Sequence, residues 1–197
     1  CTRASHLVAS VRAIDVTLLV TGGNGQVGRA IGEAAPTAVC LGKTELDVTN
    51  RVQVLDVLAS RGATAVINAA AYTNVDGAET AMETAFHVNG KGAANVAWAC
   101  RQRQIPLVHV STDYVFDGHH ALCRPDDPAD PVSVYGVSKL AGEQAIRTIG
   151  PQHAIVRSSW IFSHQPGNFV TTMFRLALEQ EQLTVVSDQI GCPTSAA

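Results

Sequence analysis

The chain has 197 residues, 46% of them hydrophobic and 16% charged, with a formal net charge of −3. That is enough apolar material for one domain with a real core, and it lacks the basic surplus of a nucleic-acid binder. No apolar run reaches the ~20 residues of a membrane span, and five scattered cysteines without a C-x-x-C pair argue against a disulfide framework or a zinc site.

Residues 1–15 read as an extension ahead of the first strand. They do not read as a signal peptide, because Arg12 and Asp15 interrupt the apolar residues and no small-residue cleavage site follows. Val16 to Val20 is a continuous apolar run rich in β-branched residues, the pattern of a strand buried on both faces. A glycine-rich turn follows, then a helix to Ala35 closed by Pro36. Thr37 to Leu41 is the second strand. Asn50 is the expected N-cap of a helix ending near Arg61-Gly62. Ala63 to Asn68 is the third strand. A long helical stretch from Ala78 to Arg103 is interrupted near Asn89-Gly90. Pro106 to Val110 is the fourth strand. Ser133 opens a helix to about Ile149, Ala154 to Arg157 is the fifth strand, Phe169 to Glu181 a helix, and Leu183 to Val186 a sixth strand.

This alternation implies βαβ units: an α/β, Rossmann-type, doubly wound parallel sheet with helices on both faces. Right-handed crossovers favour the strand order 3-2-1-4-5-6. The expected domain covers residues 16–197, with the beginning of a substrate-binding lobe at 160–197 and most of that lobe absent.

Gly22-x-x-Gly25-x-x-Gly28 lies directly after the first strand and opens a helix. Gly22 permits the tight turn, Gly25 lets backbone approach a pyrophosphate, and Gly28 lets helix and strand pack closely. The helix N-terminus offers free N–H groups to phosphate. These features point to NAD(P). Tyr135 and Lys139 stand four apart on one helix face. An ammonium beside a phenol is expected to lower its pKa, making the pair a proton donor or acceptor at a carbonyl or alcohol oxygen. Thr112 ends the fourth strand, where a hydroxyl faces the ligand crevice. Asp47 lies beyond the second strand on the adenosine side. No carboxylate follows that strand directly. Lys43 stands nearby instead, which leans towards NADPH over NADH, although a solvated lysine fits the bare residues nearly as well. His119-His120 has no metal-spaced partners, so no metal is expected. Trp160 fits a substrate contact or a core residue equally.

These motifs resemble the extended short-chain dehydrogenase/reductases. Within them the chain is most similar to the dTDP-4-dehydrorhamnose reductase family, from Leu18 to the end. The stretches that carry the likeness run Leu19 to Gly28, Asn68 to Asp76, Ser111 to Gly118, Tyr135 to Glu143, Arg157 to Trp160 and Asp188 to Thr194. The resemblance implies that Gly25, Gln26 and Val27 bind pyrophosphate, and that Asp47 and Val48 meet the adenine. Ala70, Ala71 and Thr73 would flank the ribose and nicotinamide. Thr112, Tyr135 and Lys139 would be the catalytic set, with Lys139 also holding the cofactor ribose. Val75, Asp113 and Trp160 would contact the sugar nucleotide, with Asn168, Gln189 and Thr194 as further substrate-side candidates.

The implied reaction is reduction of dTDP-4-dehydro-L-rhamnose to dTDP-L-rhamnose by NADPH or NADH, for cell-surface polysaccharide synthesis in the cytoplasm. The expected partner is a small-molecule dTDP-sugar, with neither nucleic acid nor membrane. Some family members carry an acidic residue for metal-linked dimerisation where Ala197 stands, so neither metal nor dimerisation is carried over, and a homodimer stays open. Two alternatives remain beside the reductase: a non-catalytic NAD(P)-binding regulatory subunit, and another nucleotide-sugar epimerase or dehydratase.

Overall fold

A computed structural model describes residues 16–120 and 122–197. The extension expected at 1–15 lies outside the described residues. The main sheet has five parallel strands: β1 (Leu18–Thr21), β2 (Val39–Leu41), β3 (Ala65–Asn68), β4 (Leu107–Thr112) and β5 (His153–Ser158). Their order is β2-β1-β3-β4-β5. The inner strands carry branched apolar residues to both faces, and Leu19, Val20, Val66 and Leu107 are almost fully buried. Each contributes about 1.5–3 kcal/mol from burial.

The expected order 3-2-1-4-5-6 needs correction. The third strand does not lie outside β2. It pairs with β1 on the opposite side, Thr21 standing against Asn68 there and against Leu41 in β2. The reason lies in residues 42–50. Their backbone groups are used in local turns, with Glu45 and Leu46 N–H donating to the Gly42 carbonyl and Asn50 N–H to that of Asp47. Among the described residues no strand extends the sheet beyond β2, and the next one joins the other side of β1. The chain thus reverses direction across β1 and β3, and the crevice at their carboxyl ends is where open α/β sheets bind ligands.

The helices begin where the sequence puts caps. Asn50 Oδ1 accepts from Gln53 N–H at 3.1 Å ahead of α2 (Arg51–Ser60), and Ser133 Oγ accepts from Gly136 N–H at 3.1 Å ahead of α6 (Val134–Ile149). Helix α1 (Gln26–Ala34) starts at Gly25. The long helical stretch is broken as expected, and more heavily. It comprises α3 (Val75–Thr80), α4 (Met82–Phe86), a π turn (His87–Gly92) and α5 (Ala93–Arg103). A methyl on Gly92 would come within 2.8 Å of Val48 Cγ2, and one on Gly142 of α6 would overlap the Asn89 carbonyl. The π turn therefore lies pressed between the segment after β2 and α6. Val54 and Leu58 of α2, Val96 and Cys100 of α5, and Ile146 of α6 complete the main core.

The sixth strand expected at Leu183–Val186 is not formed. Val185 and Val186 are exposed, and no strand pairs with them among the described residues. An apolar β-branched run becomes a strand only when another strand takes up its backbone groups. Here the following chain turns back instead. Short strands β6 (Ile161–Phe162) and β7 (Thr194–Ser195) pair in parallel as a separate ribbon after α7 (Phe169–Glu179) has been laid down.

Candidate functional site

The glycine-rich turn joins β1 to α1 at the crevice. Gly22 has φ +70°, a left-handed conformation that favours glycine. A side chain there would also meet the Ala69–Ala70 backbone at 2.7 Å. Gly28 is packing-critical too: a methyl would overlap the Gly22 carbonyl and lie 2.6 Å from Gly23 Cα. Gly25 differs. It has ordinary extended backbone, and the nearest atom to an added methyl is Gly22 O at 3.3 Å. The α1 N-terminus has no side-chain cap. The turn is thus held tight by Gly22 and Gly28 and left open at Gly25, a cradle that suits a phosphate. Val27 follows in the first turn of α1. Gln26 points away along the surface, where its Oε1 accepts from Ser163 Oγ at 3.1 Å and from Asn168 Nδ2 at 3.2 Å.

Beyond β2, where the sequence leads one to expect adenosine, Lys43, Asp47, Thr49 and His87 line one open cleft. Hydrogen bonds from Thr49 N–H and hydroxyl hold the Asp47 carboxyl below its ordinary range, with smaller help from Lys43 and His87. Val48 is buried, and its carbonyl accepts from Asn95 Nδ2 at 2.9 Å. On the far side of β1, Ala70 and Ala71 follow β3 half-buried and Thr73 is exposed. Ala70 N–H donates to Thr21 Oγ1 and Asn68 Oδ1, both at 3.3 Å.

The structure brings Thr112, Tyr135 and Lys139 together at the end of β4. All three are buried. Lys139 Nζ donates to the Val110 carbonyl at 2.7 Å, and burial pushes its pKa down to about 8 while Glu143 opposes the shift. The expectation that Lys139 lowers the Tyr135 pKa is corrected. Burial pushes the phenol up, the Thr112 hydroxyl partly offsets this as a hydrogen-bond partner, and Asp113 and Tyr114 push it further up. The net shift is thus upward, and the Lys139 ammonium donates to the β4 backbone. Tyr114 meets the Tyr135 ring edge-on at 5.6 Å, and Val75 packs on the same cluster. Asp113 accepts from Thr112 Oγ1 at 3.2 Å, and burial raises its pKa.

The remaining substrate-side candidates fall into two places. Trp160 and Thr194 come together, with Thr194 N–H donating to the Trp160 carbonyl at 3.3 Å. Trp160 has φ +48°, and a methyl on Gly191 would lie 2.6 Å from its ring. Gln189 is exposed on the connecting segment. Asn168 is elsewhere, buried as the cap of α7. Its Oδ1 accepts from Thr171 N–H, and its Nδ2 donates to Gln26, Ser163 and Gln165.

Several site residues escaped the sequence reading. His109 of β4 is buried, with Nδ1 accepting from Asn68 Nδ2 at 3.0 Å, and the Asn68 Oδ1 accepts from Thr21. Burial pushes its pKa down to about 3. Asn89 of the π turn donates to the Tyr72 carbonyl at 3.1 Å and to Ser138 Oγ at 2.9 Å, joining the loop after β3 to α6. Glu143 is fully buried among Ser111, Arg147 and Arg157. Only Glu143 carried a signal, its place one helical turn beyond Lys139.

Residues 16–197 match the family described as "RmlD substrate binding domain". A dTDP-4-dehydrorhamnose reductase from Aggregatibacter actinomycetemcomitans is 42% identical over 90% of this chain and 62% of its own length. One from Sinorhizobium fredii is 42% identical over 91% of this chain and 62% of its own length. The chain therefore spans about three fifths of the length of these curated relatives. Among solved structures, a Bacillus anthracis dTDP-4-dehydrorhamnose reductase in complex with NADP superposes with a TM-score of 0.85 at 39% identity, covering 93% of this chain and 68% of that one. A match over all described residues, with relatives at this identity, places the chain in the RmlD substrate-binding-domain family, the family of the dTDP-4-dehydrorhamnose reductases.

Proposed function

We propose that the protein containing this chain reduces dTDP-4-dehydro-L-rhamnose to dTDP-L-rhamnose with NADPH or NADH. The observation that carries this is the gathering of buried Thr112, Tyr135 and Lys139 at the end of β4, two strands along the sheet from the glycine cradle after β1. When bound, the reduced nicotinamide supplies the hydride that goes to C4 of the keto sugar. Gly25 and the first N–H groups of α1 hold the pyrophosphate. Asp47 and Val48 meet the adenine, and Lys43 pairs with a 2′-phosphate. Ala70, Ala71 and Thr73 leave room for the ribose and nicotinamide.

Tyr135 is the proton donor. A phenol whose pKa burial raises stays protonated at neutral pH, the form that can give a proton to the oxygen at C4 as its negative charge develops. Thr112 donates a hydrogen bond to the same oxygen. Lys139 offers its ammonium to the ribose hydroxyls. Val75, Asp113 and Trp160 contact the sugar nucleotide. A cytoplasmic location follows from the supply of dTDP-sugar and NADPH there.

The test is turnover by the full-length gene product with dTDP-4-dehydro-L-rhamnose and NADPH or NADH, followed by loss of reduced-cofactor absorbance. Wild type turns over, and Tyr135→Phe loses about 10²–10⁴-fold in kcat with cofactor affinity retained. Absence of turnover refutes the reaction. Unchanged kcat in Tyr135→Phe refutes the proton donor.

A further inference from the structure

Tyr135, Lys139, Glu143 and Arg147 follow one another at intervals of four along α6, so they form one stripe of that helix. The first two are the proposed chemical groups. The third is a carboxylate with no exposed surface. Its oxygens accept four hydrogen bonds: from Ser111 Oγ at 2.6 Å, Arg157 Nε at 3.0 Å, Arg157 Nη2 at 2.8 Å and Arg147 Nη2 at 3.0 Å. Bonds of this charge-assisted, bidentate kind are strong and directional.

Two of these partners lie on the sheet. Ser111 is the β4 residue next to Thr112, and Arg157 stands opposite it on β5 in the strand register. A buried carboxylate therefore ties the helix carrying Tyr135 and Lys139 to the strand carrying Thr112. A tether alone would not need a charge. Yet Glu143 stays ionised, because Arg157, Ser111 and Arg147 hold its carboxyl below the ordinary range despite burial.

The charge bears on Lys139. Glu143 stands one helical turn from Lys139 on the same face of α6; burial disfavours the ammonium, and this carboxylate opposes it. The other titratable neighbours do not substitute for it. His109 of β4 faces Lys139 but stays neutral, with its pKa near 3. Arg147 of α6 and Arg157 of β5 are cations and act through Glu143. Glu79 of α3 reaches α6 only at its first residue, by accepting from Val134 N–H. The π turn contributes the uncharged Asn89.

We infer that Glu143 is a positioning residue of the reductase site: it fixes the register of α6 on β4 and supplies the negative charge that keeps Lys139 an ammonium. The inference rests on the reductase reading for its consequence in turnover, but the state of Lys139 can be read without turnover.

The experiment compares wild type, Glu143→Gln and Glu143→Asp in the full-length protein. Lys139 is titrated by NMR on 13C-lysine protein, its signal identified by its loss in Lys139→Met. In Glu143→Gln the Lys139 midpoint falls by a pH unit or more. Its kcat at neutral pH falls at least tenfold, and the kcat–pH profile moves the same way. Glu143→Asp recovers part of both. A folded Glu143→Gln protein with an unmoved Lys139 midpoint overturns the inference. Wild type without turnover refutes the reductase reading, while the titration still decides this one. Should Glu143→Gln not fold, Ser111→Ala decides: the tether predicts a several-fold lower kcat with KM nearly unchanged, and unaltered kcat overturns it.

Discussion

Two glycines of one motif, three residues apart, are expected to fail in different ways. In Gly28→Ala the new methyl meets only backbone, the Gly22 carbonyl and the Cα and carbonyl carbon of Gly23, all closer than real Cβ contacts come. Overpacking costs about 1–3 kcal/mol, and backbone neighbours that cannot rotate away put this case near 3. Alanine returns about 1 kcal/mol of helix propensity. The net loss is about 2 kcal/mol, which for a domain of this size lowers Tm by roughly 4–8 °C. In Gly25→Ala the backbone is ordinary and the nearest neighbour is at 3.3 Å. Its stability cost is under about 1 kcal/mol, mostly from a poorer N-cap. Its methyl intrudes where a pyrophosphate would approach, so NADPH affinity falls about tenfold, equal to about 1.4 kcal/mol. Thermal melts and cofactor titrations of both variants separate the effects. Equal stability loss in the two variants, or intact NADPH binding in Gly25→Ala, would refute the division of labour.

His109 predicts an acid-sensitive fold. Its pKa is about 3 when folded and 6.5 when free. A depressed folded pKa means that the unfolded chain takes up the proton first. The stability is complete above pH 6.5 and falls by up to roughly 1.4 kcal/mol per unit between 6.5 and 3; urea melts across this range should show the slope, and His109→Gln should flatten it. Lys43→Ala should weaken NADPH more than NADH, since only the former carries a 2′-phosphate; equal losses in direct binding assays would remove that role. Asn50→Ala should cost about 1 kcal/mol in denaturant melts and leave NADPH affinity unchanged.

Local chemistry was the readable part of this chain. Asn50 and Ser133 cap the helices they were expected to cap, because a cap bond spans only three residues. The glycine turn and the Tyr135–Lys139 spacing were equally local. Failures came where a distant partner decides. Leu183–Val186 has strand composition but no strand beside it among the described residues. The third strand chose the other side of β1 because residues 42–50 turn rather than extend. The Tyr135 phenol was misjudged because helix spacing shows that Lys139 is near, but not that the phenol is buried, which raises its pKa. Glu143 meets Ser111 of β4 and Arg157 of β5, a meeting that no spacing within α6 announces.

The π turn at His87–Gly92 has a consequence for insertions and deletions. A π turn holds one residue more than the α-helical turn it replaces. Removing one residue there would let α4 and α5 run on as a regular helix, which helix propensity alone would favour. It would also rotate everything before the deletion by about a third of a turn relative to α5. Asn89 would then lose either the Tyr72 backbone or Ser138. The segment is thus a place where a chain shortened by one residue can gain local regularity and lose the link between the loop after β3 and the helix of Tyr135.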